Sequence, residues 1–165
     1  MLFAGVLNTL GTLGPAEVLA KRLYISKHTY RLAHDLGVPF VFPSAHPFNP
    51  LLALRVTAAV REANALRRLV SALFSAVWAG GGGLMEPERV GACVGAVGLE
   101  VQALLAAAGT PDGKEQVRRN TEELLALGGF DVPTILADEE LFFGVDSLGH
   151  LVRSSNHPGQ PADQH

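Results

Sequence analysis

A chain of 165 residues with 48% hydrophobic and only 18% charged residues holds enough apolar material for one domain with a sizeable core, which excludes a disordered or fibrous protein. Its 13 Lys and Arg against 16 Asp and Glu leave a formal net charge of -3, so a polyanion-binding surface, and with it nucleic acid as a partner, is not expected. The single cysteine excludes an internal disulfide, a CxxC redox pair and a cysteine-rich zinc site, and it points to a reducing compartment, the cytoplasm.

The uncharged runs 1–16 and 69–85 fall short of the ~20 apolar residues that span a bilayer. The first cation is Lys21, so the opening residues carry no signal-peptide n-region, and the expectation is a soluble protein with no membrane partner.

Leu2 to Leu7 is a short apolar run before Gly11, Gly14 and Pro15, and it predicts a strand ending in a turn. From Ala16 to Leu36 apolar side chains interleave with Lys21, Arg22, Lys27 and Arg31 at roughly helical spacing, and Gly37 supplies the stop. Pro39, Pro43, Pro47 and Pro50 make the next stretch an extended crossing, since proline and the residue before it resist the α conformation. Two helices follow from the apolar spacing over Leu51 to Val60 and Leu66 to Trp78, with a break near Asn64. Gly80 to Gly83 ends the second, Pro87 opens a third to about Val97, and a fourth continues through Ala108. Thr110 and Pro111 read as N-cap and first helical residue of a fifth, stopped by Gly128 and Gly129. Within it, Asn120 and Glu122 read as a solvated face, with Thr121 able to tuck against the core.

The period then changes. Val132 to Ala137 and Leu141 to Phe143, joined by Asp138, Glu139 and Glu140, predict a hairpin, after which Asp146 can cap a last short helix. Beyond Arg153 the polar tail 154–165 lacks the apolar area to offset its ordering entropy and is expected to be disordered. The class is α/β, with residues 1–153 as one domain, a helical block inserted over about 44–109, and a small sheet.

Few residues suggest chemistry by themselves. Pro133 after Val132 is either a strand-opening residue that donates no ladder bond or a cis-proline that turns its neighbour's main chain toward a ligand. The six histidines include no helical i, i+4 pair, so no metal is expected, and Cys93, in an apolar stretch, reads as a small buried hydrophobe. Ser71 and Ser75 have no Asp or His close by in sequence, which leaves a hydrolytic triad unsupported. Phe74 and Trp78 could line an aromatic pocket, although helical core packing is their commoner use.

The run NTEELLALGGFDVPTILADEELFFGVDSL, residues 120–148, resembles the C-terminal part of the 2-hydroxychromene-2-carboxylate isomerases and kappa-class glutathione transferases, relatives of the DsbA-type oxidoreductases. GPAEVLAKRLYISKHTYRLAHDLGVPFVFP, residues 14–43, and HPFNPLLALR, residues 46–55, are similar to that family's segments leading into its helical domain. The resemblance implies a thioredoxin-like sheet with an inserted helical domain, and glutathione as the cofactor. Pro133 would be the cis-proline, and Val132 would offer its main-chain N–H and C=O to the cysteinyl unit of glutathione. Asp146, in a Gly-x-Asp turn, would pair with the γ-glutamyl ammonium, and Lys21, in a Lys-x-x-Tyr segment, would lie near the glycyl carboxylate.

The chain departs from the family pattern at Thr12, where kappa enzymes have asparagine, and at Val145, where they have serine. The family's Ser-Pro-x-x-Tyr-like motif, whose serine hydroxyl activates the thiol, would lie upstream of Met1, so no catalytic residue is assigned. Without the strand that carries it the sheet would be incomplete, at about 1–3 kcal/mol for each buried unpaired group, so a shortened copy or a partner chain filling the gap is expected. The function implied is a glutathione-dependent isomerase acting on a small aromatic acid by thiol addition, ring opening, bond rotation and elimination. The rival is a non-catalytic thioredoxin-like binding or assembly module. A disulfide oxidoreductase needs two cysteines and is excluded by the single Cys93. Relatives are often dimers, and an open sheet edge would favour a homodimer.

Overall fold

The computed structural model describes residues 1–156. Its elements run α1 (Phe3–Leu10), α2 (Leu19–Asp35), α3 (Leu51–Ala59), α4 (Ala63–Trp78), α5 (Pro87–Ala96), α6 (Val101–Gly109), α7 (Pro111–Ala126), β1 (Thr134–Ala137), β2 (Glu140–Phe143), a single 3-10 turn at Val145–Ser147, and α8 (Leu148–Asn156).

The four central helices α3 to α6 form the core. Leu69, Leu73 and Val77 recur every four residues on α4 and bury against Ala53 and Val56 of α3, Val90, Cys93 and Val94 of α5, and Ala108 of α6. Leu69, Val56, Val90 and Val94 are wholly enclosed, so the packing energy of the chain is concentrated in this block. Capping sets its boundaries. The Glu62 carboxylate accepts from the N–H groups of Asn64 and Ala65 to open α4, and the Thr110 hydroxyl accepts from Gly113 to open α7 with Pro111 behind it. Helix α3 packs on α6 and α7, which ties the block to the C-terminal third. Helix α2 differs from all of these, because none of its side chains is buried and Leu19, Leu23, Tyr24 and Tyr30 stand exposed.

The strand expected at Leu2 to Leu7 is instead α1. Among the described residues the only sheet is the antiparallel pair β1–β2, so this run has no ladder to join and satisfies its main chain through its own helical bonds. Val6 on its inner face is fully buried, and α1 lies against α7.

The hairpin stands as expected, with Thr134 opposite Phe143 and Ala137 opposite Glu140. Its turn is shorter than the sequence suggests. Asp138 and Glu139 alone make it, both with positive φ, and Glu140 belongs to β2. Asp146 is not the cap of a free-standing helix but lies inside the 3-10 turn that leads into α8. Residues Ser154 to Asn156, assigned to the tail from sequence, continue α8, and the rest of the expected tail lies outside the described residues.

Candidate functional site

A cavity of about 580 Å3 opens between α2, the extended crossing after it, the end of α4 and the start of the hairpin. Its wall is aromatic. Trp78, the last residue of α4, is stacked on Phe40 at 5.9 Å between ring centroids and 9° between planes, with Phe42 edge-on at 6.2 Å and His46 tilted at 5.7 Å. These separations lie in the range where ring quadrupoles attract. The main chain holds the arrangement, since Val41 N–H donates to the Trp78 carbonyl at 2.6 Å and fixes the crossing against the end of α4. Alternation along the crossing then puts Phe40 and Phe42 on the same side.

The same cavity carries residues singled out by sequence. Val132, Pro133 and Val145 line the cavity, and the Val132–Pro133 peptide bond is cis. The Pro133 carbonyl accepts from Gly144 N–H at 3.0 Å, which pins the start of β1 to the residue before Val145. Asp146, exposed, follows Val145 directly. The structure therefore brings Val132, Pro133 and the Val145–Asp146 turn to one rim.

Two expectations meet a different geometry. The Val132 N–H is donated to the Asp131 carboxylate at 2.7 Å, so a peptide ligand would have to displace that side chain. Among the described residues no donor reaches the Val132 carbonyl. Lys21, in the first turn of α2, is exposed and does not line the cavity, whereas its neighbour Arg22 does. Thr12 lies beyond the end of α1, where its N–H donates to Leu7, and it too is outside the lining.

Sequence reasoning passed over Arg22, Phe40, Phe42 and His46. The available signal was the alternation Phe40, Phe42 and His46 in a stretch whose prolines forbid a helix, which spaces aromatic residues along one side of an extended chain. Partial desolvation beside these rings holds the exposed His46 imidazole below its ordinary pKa of 6.5, which favours the neutral ring near pH 7. The hydroxyls of Ser26 and Thr29, also on the wall, are donated to the carbonyls of Arg22 and Ile25 within α2. Trp78 and Phe74 do line the pocket, and Phe74 is 62% exposed rather than core.

Away from the cavity, Cys93 is buried and desolvation pushes its thiol pKa up, the opposite of a reactive thiolate. Among the described residues no three His, Cys, Asp or Glu side chains gather into a metal-sized group, and no helix is long and apolar enough to cross a membrane.

Comparison with known proteins supports the same architecture. The chain is 27% identical over 168 residues to glutathione S-transferase kappa 1 of Homo sapiens, an alignment covering 92% of this chain and 74% of that protein. It is 25% identical over 143 residues to the 2-hydroxychromene-2-carboxylate isomerase of Sphingobium xenophagum, covering 86% and 72%. A solved 2-hydroxychromene-2-carboxylate isomerase structure superposes with a TM-score of 0.82 at 24% identity, over 94% of this chain and 77% of that one, which establishes the fold. The DSBA-like thioredoxin domain matches residues 1–154, and the chain belongs to that family.

Proposed function

We propose that the chain is a glutathione-dependent isomerase of the 2-hydroxychromene-2-carboxylate isomerase kind, acting on small aromatic acids. The observation that carries this reading is the juxtaposition of Val132 and Pro133 with a cavity walled by Phe40, Phe42, His46 and Trp78, so that a captured peptide and an aromatic ring would share one space.

The residues present fit glutathione at one end of that space. The Val132 carbonyl is open, and its N–H is held only by the adjoining Asp131 side chain, which a ligand carbonyl can replace. Asp146 would pair with the γ-glutamyl ammonium, and Lys21, which lies outside the cavity lining, with a glycyl carboxylate that projects beyond the cavity, each an exposed charge without an ion-pair partner among the described residues. Glutathione, when bound, would supply a thiol that adds to a ring double bond, so that the ring opens and the resulting single bond rotates before the thiol is eliminated. The chain's own contribution is placement: the rim orients the peptide, and the aromatic wall excludes water and stacks the acceptor ring. The same reading takes the protein to be cytoplasmic and a homodimer.

Thermal unfolding with and without reduced glutathione tests the proposal. At about 100 times its dissociation constant a ligand stabilises by ~2.7 kcal/mol, a shift of roughly 5–10 °C for a chain of this size. Such a shift, lost in Asp146→Ala, is the expected result, and a cooperatively folded sample with no shift would overturn the reading. The second reading, a binding module without turnover, is favoured by one observation: both hydroxyls on the wall, Ser26 and Thr29, are tied to α2 carbonyls, which leaves neither proton free to activate a thiol. Glutathione stabilisation without isomerisation of any small aromatic acid would decide for it.

A further inference from the structure

We infer that Arg22 determines which acceptors the cavity takes, by holding the carboxylate of a planar aromatic acid whose rings lie along the Trp78 wall. The inference deepens the proposed function, since it names the residue that selects the acceptor, but the binding event itself needs no thiol.

The argument is a census of what the cavity offers. Its lining is overwhelmingly apolar, and among the described residues it contains one permanent cation, Arg22, and no Asp or Glu. Arg22 forms no ion pair among the described residues. The other polar groups are unsuited to an anion. Ser26 and Thr29 have their protons on carbonyls of α2, and Val132 N–H is on Asp131. His46 is held toward its neutral form and contributes a flat ring.

A cation without an ion-pair partner among the described residues, lining the same cavity as a stacked aromatic wall, matches two parts of one ligand. The planar fork takes a carboxylate bidentately, which gives a stronger and more directional bond than a point cation makes. The ring system takes Phe40, Phe42 and Trp78 as stacking and edge partners at separations already set by the protein. Lys21, next in sequence, cannot substitute for Arg22, because it does not line the cavity. A neutral aromatic compound of the same shape would keep the stacking and lose the charge pair, leaving the guanidinium without its partner.

Trp78 is the only tryptophan of the chain and lines this cavity as well as a smaller one of about 220 Å3 that Arg22 does not line, so its fluorescence reports on both and the Arg22 variants assign the signal to this one. The probes are trans-cinnamate and its neutral isostere cinnamamide, titrated against the full chain without glutathione. The expected result is saturable quenching with a preference for cinnamate of about tenfold, the worth of one charge-assisted bidentate contact. Arg22→Gln should weaken cinnamate by about the same factor, leave cinnamamide nearly unchanged and erase the preference, Arg22→Lys should restore part of it, and Lys27→Gln on the exposed part of α2 should change neither. Gln and Lys are both good helix formers, so these variants keep α2. Equal binding of the two probes by the parent chain, an unchanged preference in Arg22→Gln, or no saturable quenching by either would overturn the inference. Failure of the glutathione reading looks different: the cinnamate preference and its loss in Arg22→Gln would persist while glutathione gave no thermal shift.

Discussion

The Leu2 N–H donates to the Thr121 hydroxyl at 2.9 Å, across 119 residues of chain, and the same hydroxyl donates to the Val117 carbonyl at 2.8 Å. Thr121 is the buried polar residue of the described chain, and this pair of bonds is what seats α1 on α7, with Gly5 passing 3.4 Å from the Thr121 methyl where a β-carbon would sit. Thr121→Val keeps the shape and removes both bonds, so the Leu2 N–H loses its acceptor. The expected cost is about 1–3 kcal/mol in urea unfolding, with an unchanged denaturant slope, and no measurable loss would show that water replaces the hydroxyl.

The hairpin turn stores cost in a different way. Asp138 and Glu139 have φ of 48° and 69°, in the left-handed region that disfavours residues with a β-carbon. Two-residue turns of this handedness prefer Asn followed by Gly. The double change Asp138→Asn with Glu139→Gly should therefore raise stability by roughly 1 kcal/mol, read as a few degrees in melting temperature. A fall in melting temperature would mean the carboxylates do more for the turn than its backbone costs.

Asp131 competes for the group a peptide ligand would use. If the Val132 N–H contributes to glutathione capture, Asp131→Ala frees it and should tighten glutathione binding a few-fold, measured by calorimetry. Weaker binding would show that Asp131 instead presents the segment to the ligand.

His46 gives a pH signature. Its folded pKa lies below 6.5, so between 6.5 and that lower value the unfolded chain binds more protons than the folded one. Stability is therefore unaffected by this group above 6.5, falls as pH drops through the window and levels off below the folded pKa. A protonated imidazole beside an indole quenches its fluorescence, so Trp78 emission should fall on acidification with a midpoint below 6.5, and His46→Phe should abolish that step. A midpoint at or above 6.5 would show that the rings do not desolvate the imidazole.

What the sequence determined by itself are the features whose cause is local. Proline at the start of α5 and α7, the Thr110 cap, the left-handed Gly37 after α2 and the apolar spacing of α4 act within a turn or two, so they can be read residue by residue. The rim at Val132, Pro133 and Val145–Asp146 was legible too, because one turn and one hairpin hold it together and because the run resembles a known family. Tertiary structure decided the rest. Leu2 to Leu7 has no period that separates strand from helix, and the outcome followed from which partner its backbone could find, a ladder or the Thr121 hydroxyl on α7. The aromatic wall joins Phe40 to Trp78, 38 positions apart, and the selection of Arg22 over Lys21 for the lining depends on which way α2 is turned toward it. These relations are set by the packing of whole elements, and one residue of rotation along a helix moves a side chain by about 100°, so no local pattern encodes them.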